Sequence, residues 1–194
     1  VKKPIPLNQA LRLIVPGVVG LVTAEYRGRF DVTTISWLAP VGREPPLLAL
    51  AVHPSTMIYD MIKRSGEFVI NVPTMDVIKQ VMTCGTRSGN DVDKFAQTGL
   101  EMAEPRAVRA PLIEQCVGHL ECAVINALQP GDHTIFIGQV AYAWAEEEAF
   151  DEFWRLAEKD FKPLHHLGGS FFATLDERYD AMPKEQKTEK ARAT

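Results

Sequence analysis

The chain has 194 residues, of which 46% are hydrophobic and 24% charged, with a formal net charge of -4. That length and balance fit one globular domain with a sizeable core. The negative balance excludes a general nucleic-acid binder, which needs a basic face to displace counterions from phosphates. Three cysteines, at 84, 116 and 122, cannot all pair within one chain and lack the close spacing of a zinc or redox pair, so a reduced, cytoplasmic setting is expected. No apolar run is long enough to span a bilayer, and Val1-Lys2-Lys3-Pro4 does not open the apolar segment of a signal peptide.

Val18 to Ala24 is rich in β-branched residues, Tyr26-Arg27-Gly28-Arg29 supplies a turn, and Phe30 to Leu38 reads as the second strand of a hairpin. The proline-rich segment Pro40 to Pro46 breaks the pattern, and Leu47 to Val52 reads as a strand buried on both faces. Pro54-Ser55-Thr56 opens a helix with Met57, Ile58, Met61 and Ile62 on one face. Gly66 ends it, and Glu67 to Val72 is a strand closed by Pro73. A second helix is predicted over Met75 to Met82, then a loop from Cys84 to Gly89, then a third helix from Asn90 or Asp91. Leu112 to Leu128 holds one long strand or two short ones, Pro130-Gly131-Asp132 is a turn, and His133 to Trp144 is another long strand. Phe150, Phe153, Trp154 and Ala157 form an apolar stripe that predicts a helix over Glu146 to Lys159. The charged residues 183–194 read as a frayed tail, leaving one domain over 1–182. Strands joined by turns, with helices inserted irregularly, give a mainly β fold: an antiparallel sheet closing into a barrel with peripheral α-helices. No glycine-rich dinucleotide fingerprint follows a strand, which argues against a Rossmann domain.

Five segments carry side chains suited to a ligand. In Thr33-Thr34-Ile35-Ser36-Trp37, alternation puts the hydroxyls of Thr34 and Ser36 on one face, although threonine is also simply a good strand former. His53-Pro54-Ser55-Thr56 lies where a strand yields to a helix, and either hydroxyl serves as a cap or beside an anion. Asn71 precedes Pro73 with an amide able to read a heterocycle edge or merely to support a turn. Cys84-Gly85-Thr86-Arg87-Ser88-Gly89, followed by Lys94 and Phe95, reads equally as an anion nest with a nearby cation and as a plain helical connection. In Gly131-Asp132-His133-Thr134 a histidine stands at a barrel mouth. His165 and His166 are adjacent and would point apart in a strand, so no metal site is expected, and no Ser-His-Asp or Cys-His nucleophile stands out. Hydroxyls, amides, one lysine and aromatics without a nucleophile describe a holder of a phosphorylated aromatic cofactor that supplies the chemistry itself.

These segments, in this order over residues 10–175, resemble the flavin reductase-like family, including flavoredoxins and NAD(P)H:FMN oxidoreductases. The resemblance also uses Pro45-Pro46-Leu47 and Ile135-Phe136-Ile137-Gly138, and its most specific parts are Asp91-Val92-Asp93-Lys94-Phe95 and Gly131-Asp132-His133-Thr134. It implies a Greek-key split β-barrel, a homodimer, and FMN as cofactor near the subunit interface. It also implies NADH or NADPH as hydride donor, and a redox partner protein or flavin-dependent monooxygenase as recipient of the electrons. Carried over by position, it assigns Thr33, Thr34, Ile35, Ser36 and Trp37 to the flavin, His53, Ser55 and Thr56 to the phosphate and ribityl chain, and Asn71 to the ring. It places Cys84, Gly85, Ser88, Lys94 and Phe95 around the cofactor, and His133 where a nicotinamide would stack. Relatives similar to flavoredoxin often carry arginine where His53 stands, which leaves the phosphate short of a fixed charge. The competing expectations are a flavoredoxin-like carrier reduced by a protein partner and a flavin- or haem-binding module without catalysis.

Overall fold

A 3-10 helix at Leu7–Leu13 opens the computed structural model, which describes residues 4–14, 17–157, 161–179 and 181. There follow β1 (Gly17–Val18), β2 (Gly20–Tyr26), β3 (Arg29–Ile35), β4 (Leu38–Arg43), β5 (Pro46–Val52), α1 (Met57–Ser65), β6 (Glu67–Val72), α2 (Ile78–Thr86) and α3 (Lys94–Thr98). The short strands β7 (Met102–Ala103) and β8 (Leu112–Ile113) precede the long hairpin β9 (Gly118–Leu128) and β10 (Thr134–Ala145). The chain ends in two small hairpins, β11 (Phe150–Asp151) with β12 (Phe153–Trp154) and β13 (Leu164–Gly168) with β14 (Phe171–Thr174).

Seven strands form one antiparallel sheet in the order β3-β2-β6-β9-β10-β5-β4. Its two edge strands, β3 and β4, are consecutive in the chain and meet at Ser36–Trp37, so the barrel is split at that corner. The Ala51 N–H donates to Trp37 O at 3.0 Å and ties β5 to the split. The helix α1 fills the barrel: Met57, Ile58, Met61 and Ile62 pack with Val22, Leu50, Phe68 and Phe136, and each large apolar side chain so buried contributes about 1.5–3 kcal/mol. Gly66 stops α1 in the left-handed region at φ 72°, its N–H donating to Ile62 O at 2.9 Å. A second core joins α2 to β3 through Val81, Cys84, Val32 and Phe95.

The mainly β, antiparallel architecture is the expected one, and several boundaries differ from the sequence reading for local reasons. Pro40 does not interrupt a strand, because it lies on β4, an edge where its missing N–H is not needed, beside a register shift between Pro40 and Gly42. The strand β5 buries one face: Leu48, Leu50 and Val52 point inward, while Ala49 and Ala51 are only half-buried. The segment Met75–Val77 is a 3-10 turn, and α2 continues through Cys84-Gly85-Thr86, so the expected loop begins only at Arg87. Asp93 caps α3 through the Ala96 N–H at 3.1 Å, which moves the helix start from Asn90–Asp91 to Lys94.

The helix predicted over Glu146 to Lys159 is contradicted: Glu152 adopts φ 55° in a tight turn, and Phe150 and Trp154 meet across a hairpin at 5.2 Å between ring centroids. Those aromatics suit a strand as well as a helical stripe, and Trp154 lies over Gly118 of β9, where a Cβ would approach the indole to 3.2 Å. Lys159 and the predicted tail at 183–194 lie outside the described residues. The expectations did not include the 3-10 helix at Leu7–Leu13 or the β13–β14 hairpin, which pairs with β1 to close one end of the molecule. No helix among the described residues is long and apolar enough to cross a membrane.

Candidate functional site

The strand β3 and the Ser36–Trp37 corner form one wall of a cleft of about 310 Å³, within the roughly 300–1,000 Å³ usual for small-molecule sites. The other walls are Ala51, Val52 and His53 at the end of β5, Thr56 ahead of α1, Gly85 on α2 and His133 ahead of β10. Topology brings these segments together, because the barrel opens between its edge strands and the ends of β5 and β10 lie side by side there, with Thr134 opposite Val52.

The threonine hydroxyls on β3 are not free for a ligand. Thr33 Oγ1 donates to Cys84 O at 3.3 Å and Thr34 Oγ1 to Val81 O at 2.6 Å, which fastens α2 to β3. Gly85 permits this approach, since a Cβ there would lie 3.2 Å from Thr34 Cβ. The strand ends at Ile35, so the alternation that would turn Trp37 inward is lost, and the indole is 48% exposed at the rim of the cleft. Ser36 Oγ lies 3.3 Å from His166 Nδ1.

At the opposite rim, His53 Nδ1 accepts the Ser55 N–H at 3.2 Å and lies 2.8 Å from Ser55 Oγ. Thr56 occupies the N-cap of α1, but its hydroxyl donates to His53 O at 2.8 Å, so no side chain caps the first turn. His133 Nδ1 lies 2.8 Å from Asp132 Oδ1, and this hydrogen bond, ahead of the charge attraction, holds the Asp132 carboxyl below the usual range. The His133 ring sits 4.9 Å from Trp37 and 5.2 Å from His53, centroid to centroid.

The cleft therefore gathers Thr33, Thr34, Ile35, Ser36, Trp37, His53, Thr56, Gly85 and His133, with Ser55 supporting His53 from outside. Five sequence-predicted residues lie elsewhere. Asn71 is fully buried and consumed: its Nδ2 donates to Leu21 O at 2.8 Å, while its Oδ1 accepts the Ile113 N–H at 2.9 Å and faces His119 Nδ1 at 2.8 Å. Cys84 is buried in the second core, which pushes its thiol up to about 12; burial likewise raises Cys122 to about 12 and Cys116 further. All three stay protonated and unreactive at neutral pH. Ser88 closes a turn by accepting the Asn90 N–H at 3.2 Å, and Phe95 is a core residue.

Lys94 requires the clearest correction as a ligand contact. It is 4% exposed, its Nζ donates to Val32 O at 2.7 Å, and it lies 3.2 Å from Asp31 Oδ1. Its charge is spent inside the protein.

Sequence reasoning missed His166 and Phe172 on the β13–β14 hairpin, which with Met82 and Thr86 line a recess of about 150 Å³ continuous with the cleft through Thr34, Ser36 and Gly85. The adjacency of His165 and His166, which argues against a shared metal, is also the signal that finds this wall, since strand alternation turns one of the two rings toward Ser36. An apolar groove of about 510 Å³ continues from the cleft on its other side, past Ser36, Trp37 and Ala51 to Leu11, Ile14 and Ile135.

A seven-stranded antiparallel barrel, split at two consecutive edge strands and carrying a hydroxyl- and imidazole-lined cleft at the split, defines the class. Residues 11–174 match the model of the flavin reductase like domain, and the chain belongs to that family, an FMN-binding fold family. It is 32% identical over 184 residues to the Escherichia coli protein YddH, covering 92% of this chain and 97% of that one. Among solved structures, flavoredoxin from Methanosarcina acetivorans superposes with a TM-score of 0.82 at 27% identity, over 97% of this chain and 99% of the other. An FMN-binding domain of flavin reductases-like enzyme from Shewanella baltica superposes with a TM-score of 0.79 at 28% identity, over 92% and 96%.

Proposed function

We propose that the chain binds FMN in the cleft at the barrel split and serves as an NAD(P)H-dependent flavin reductase. The carrying observation is the convergence at one corner of an exposed indole, two imidazoles, the hydroxyls of Ser36 and Thr56 and a helix start without a side-chain cap, from four separate segments. The donor set fits the group: Trp37 offers a flat apolar surface to a ring, while Ser36, Thr56 and the imidazoles suit a polyol and a phosphate. Gly85, pressed on Thr34, keeps the floor of the cleft low. When bound, FMN supplies the hydride-accepting ring and the passage of electrons to an acceptor. The protein's own residues position and shield: Trp37 and His133 form the outer wall against which a nicotinamide would lie, and Asp132 fixes the orientation of His133. No cleft residue need act as acid or base, which suits a wall without carboxylates or thiols. In this reading a second copy of the chain covers the apolar groove at Leu11, Ile14 and Ile135, which runs into the cleft; a monomer by sedimentation velocity would remove that part.

The similarity to flavoredoxin favours a second reading, a carrier reduced by a protein partner instead of by nicotinamide. Anaerobic addition of NADH and NADPH to the FMN-loaded protein separates the two. Bleaching of the visible flavin band within seconds is expected. A band that persists with both nicotinamides and bleaches only with a reduced redox protein would establish the carrier.

A further inference from the structure

The hydroxyls of Thr33, Thr34, Ser36 and Thr56 line the cleft, and each spends its proton inside the protein. The three threonines donate to backbone carbonyls, those of Cys84, Val81 and His53. Ser36 is the exception, because its partner is a side chain, the His166 ring 3.3 Å away. A ligand therefore meets lone pairs at these hydroxyls, and only at Ser36 does a replaceable side chain decide this.

The direction of the Ser36 hydrogen bond follows from the other end of the imidazole. His166 Nε2 lies 3.1 Å from Gly169 O, and a carbonyl can only accept, so Nε2 carries the proton. The neutral ring then has a bare Nδ1, and the Ser36 hydroxyl donates to it. The fold holds the ring in this pose. Gly168 and Gly169 take positive φ values of 115° and 60°, which turn the hairpin tip so that the Gly169 carbonyl reaches the ring. Phe172, opposite His166 across the β13–β14 hairpin, packs on it at 5.1 Å between ring centroids. Gly17 of β1 pairs with His166 and lets the corner approach, since a Cβ there would collide with Ser36 O. Within this relay each donated proton makes the next atom a better acceptor.

We propose that His166 is a positioning residue that makes Ser36 an acceptor for the ring N–H of oxidised FMN. The inference rests on the FMN reading and adds to it the polarity of one contact and the residue that sets it. The polar atoms of the oxidised ring are acceptors except for a single N–H, at N3. A hydroxyl free to rotate serves carbonyl and N–H alike, whereas one committed to His166 favours the N–H edge. The ribityl hydroxyls, which both donate and accept, gain nothing from a fixed Ser36. Ser36 adjoins Trp37, whose indole offers the ring its flat surface, and stands where the cleft meets the recess at Phe172.

The test binds 15N-labelled FMN to the native protein and to variants at about pH 8, where an ordinary imidazole is neutral. Affinity is read by flavin fluorescence and the N3–H proton by NMR. Ser36→Ala is expected to weaken FMN roughly two- to tenfold and to move the N3–H resonance upfield. His166→Phe, which keeps a ring against Phe172, is expected to shift the resonance the same way and weaken FMN by a smaller factor. In the Ser36→Ala background it is expected to add nothing, because it acts through that hydroxyl. His166→Asn, whose amide oxygen can accept the Ser36 proton, is expected to keep the native resonance and affinity. An N3–H resonance that neither Ser36→Ala nor His166→Phe moves overturns the inference and leaves FMN in the cleft. So does a loss from His166→Phe that is equally large without the Ser36 hydroxyl. A native protein that binds no FMN overturns the FMN reading itself.

Discussion

Lys94→Ala is expected to destabilise the protein by about 3–5 kcal/mol, because it leaves a buried carboxylate without its partner. For a chain of this size that corresponds to a fall in Tm of about 2–4 °C per kcal/mol. Asp31 is 3% exposed and faces Lys94 Nζ through both oxygens, at 3.2 and 3.4 Å. Burial raises the Asp31 carboxyl, and the Lys94 charge and hydrogen bond oppose that rise. The Ser88–Gly89 turn closes over the same carboxylate so tightly that a Cβ on Gly89 would collide with it. Replacing both partners by apolar residues, Asp31→Leu with Lys94→Met, is expected to recover most of the loss, since buried ion pairs do little net work against well-packed apolar replacements. A Lys94→Ala protein as stable as the native one, but deprived of FMN affinity, would return the ammonium to the ligand and overturn this assignment.

Glu121→Ala is expected to cost about 1–3 kcal/mol, because three partly buried backbone N–H groups and the Trp144 indole lose one shared charged acceptor. The fully buried Glu121 carboxylate accepts the backbone N–H groups of Arg106 at 3.0 Å, Ala107, and Val108 at 3.2 Å, together with the Trp144 indole at 2.7 Å. It pins the 104–111 loop to the barrel wall. Burial alone would raise this carboxyl, but the Ala107, Trp144, Arg106 and Val108 hydrogen bonds outweigh it and hold it below its ordinary value. A carboxyl lowered on folding stabilises above the ordinary range of about 4.3 and loses that contribution as pH falls toward its folded value. His119 on the same strand acts in the same direction from higher pH: burial, against the charge of Glu121, lowers it from 6.5 to about 4. The unfolded chain takes that proton and the folded one does not, so stability drops as pH falls from about 6.5 to about 4. Thermal unfolding of the native protein at pH 7, 5.5 and 4 should give successively lower midpoints. A midpoint constant over that range would contradict both placements.

The fold was legible where local chemistry and tertiary demand agree. The β2–β3 hairpin shows itself through Arg27-Gly28, both at positive φ, and α1 through its four inward residues and the Gly66 stop. The Glu146–Lys159 segment was not, since aromatics spaced three and four apart satisfy a helix pattern as well as a short hairpin, and only Trp154 lying over Gly118 decides. At the site, residue types were read better than their partners. Thr33, Thr34, Asn71 and Lys94 all have functional groups that suit a ligand, yet their partners inside the fold are α2 carbonyls, β2, and a carboxylate 63 residues away. No spacing in the sequence announces those long-range bonds. Trp37, His53 and His133 face the cleft because they stand just beyond strand ends, where side chains are released from the sheet's alternation. His166 reaches it only through a hairpin that the sequence reading did not contain.

The central claim, that FMN occupies the cleft at Ser36–Trp37, is tested most directly by titrating FMN into the protein and its Trp37→Ala variant while following flavin fluorescence. Trp37 is half exposed, and its ring packs against His133 at the mouth of the same cleft, outside the buried cores. Saturable binding of one FMN per chain is expected, weakened roughly two- to tenfold in the variant, in line with about 0.5–1.5 kcal/mol for an aromatic stacking partner. FMN that fails to bind, or binds the Trp37→Ala variant with unchanged affinity, would place the flavin elsewhere or nowhere on this barrel.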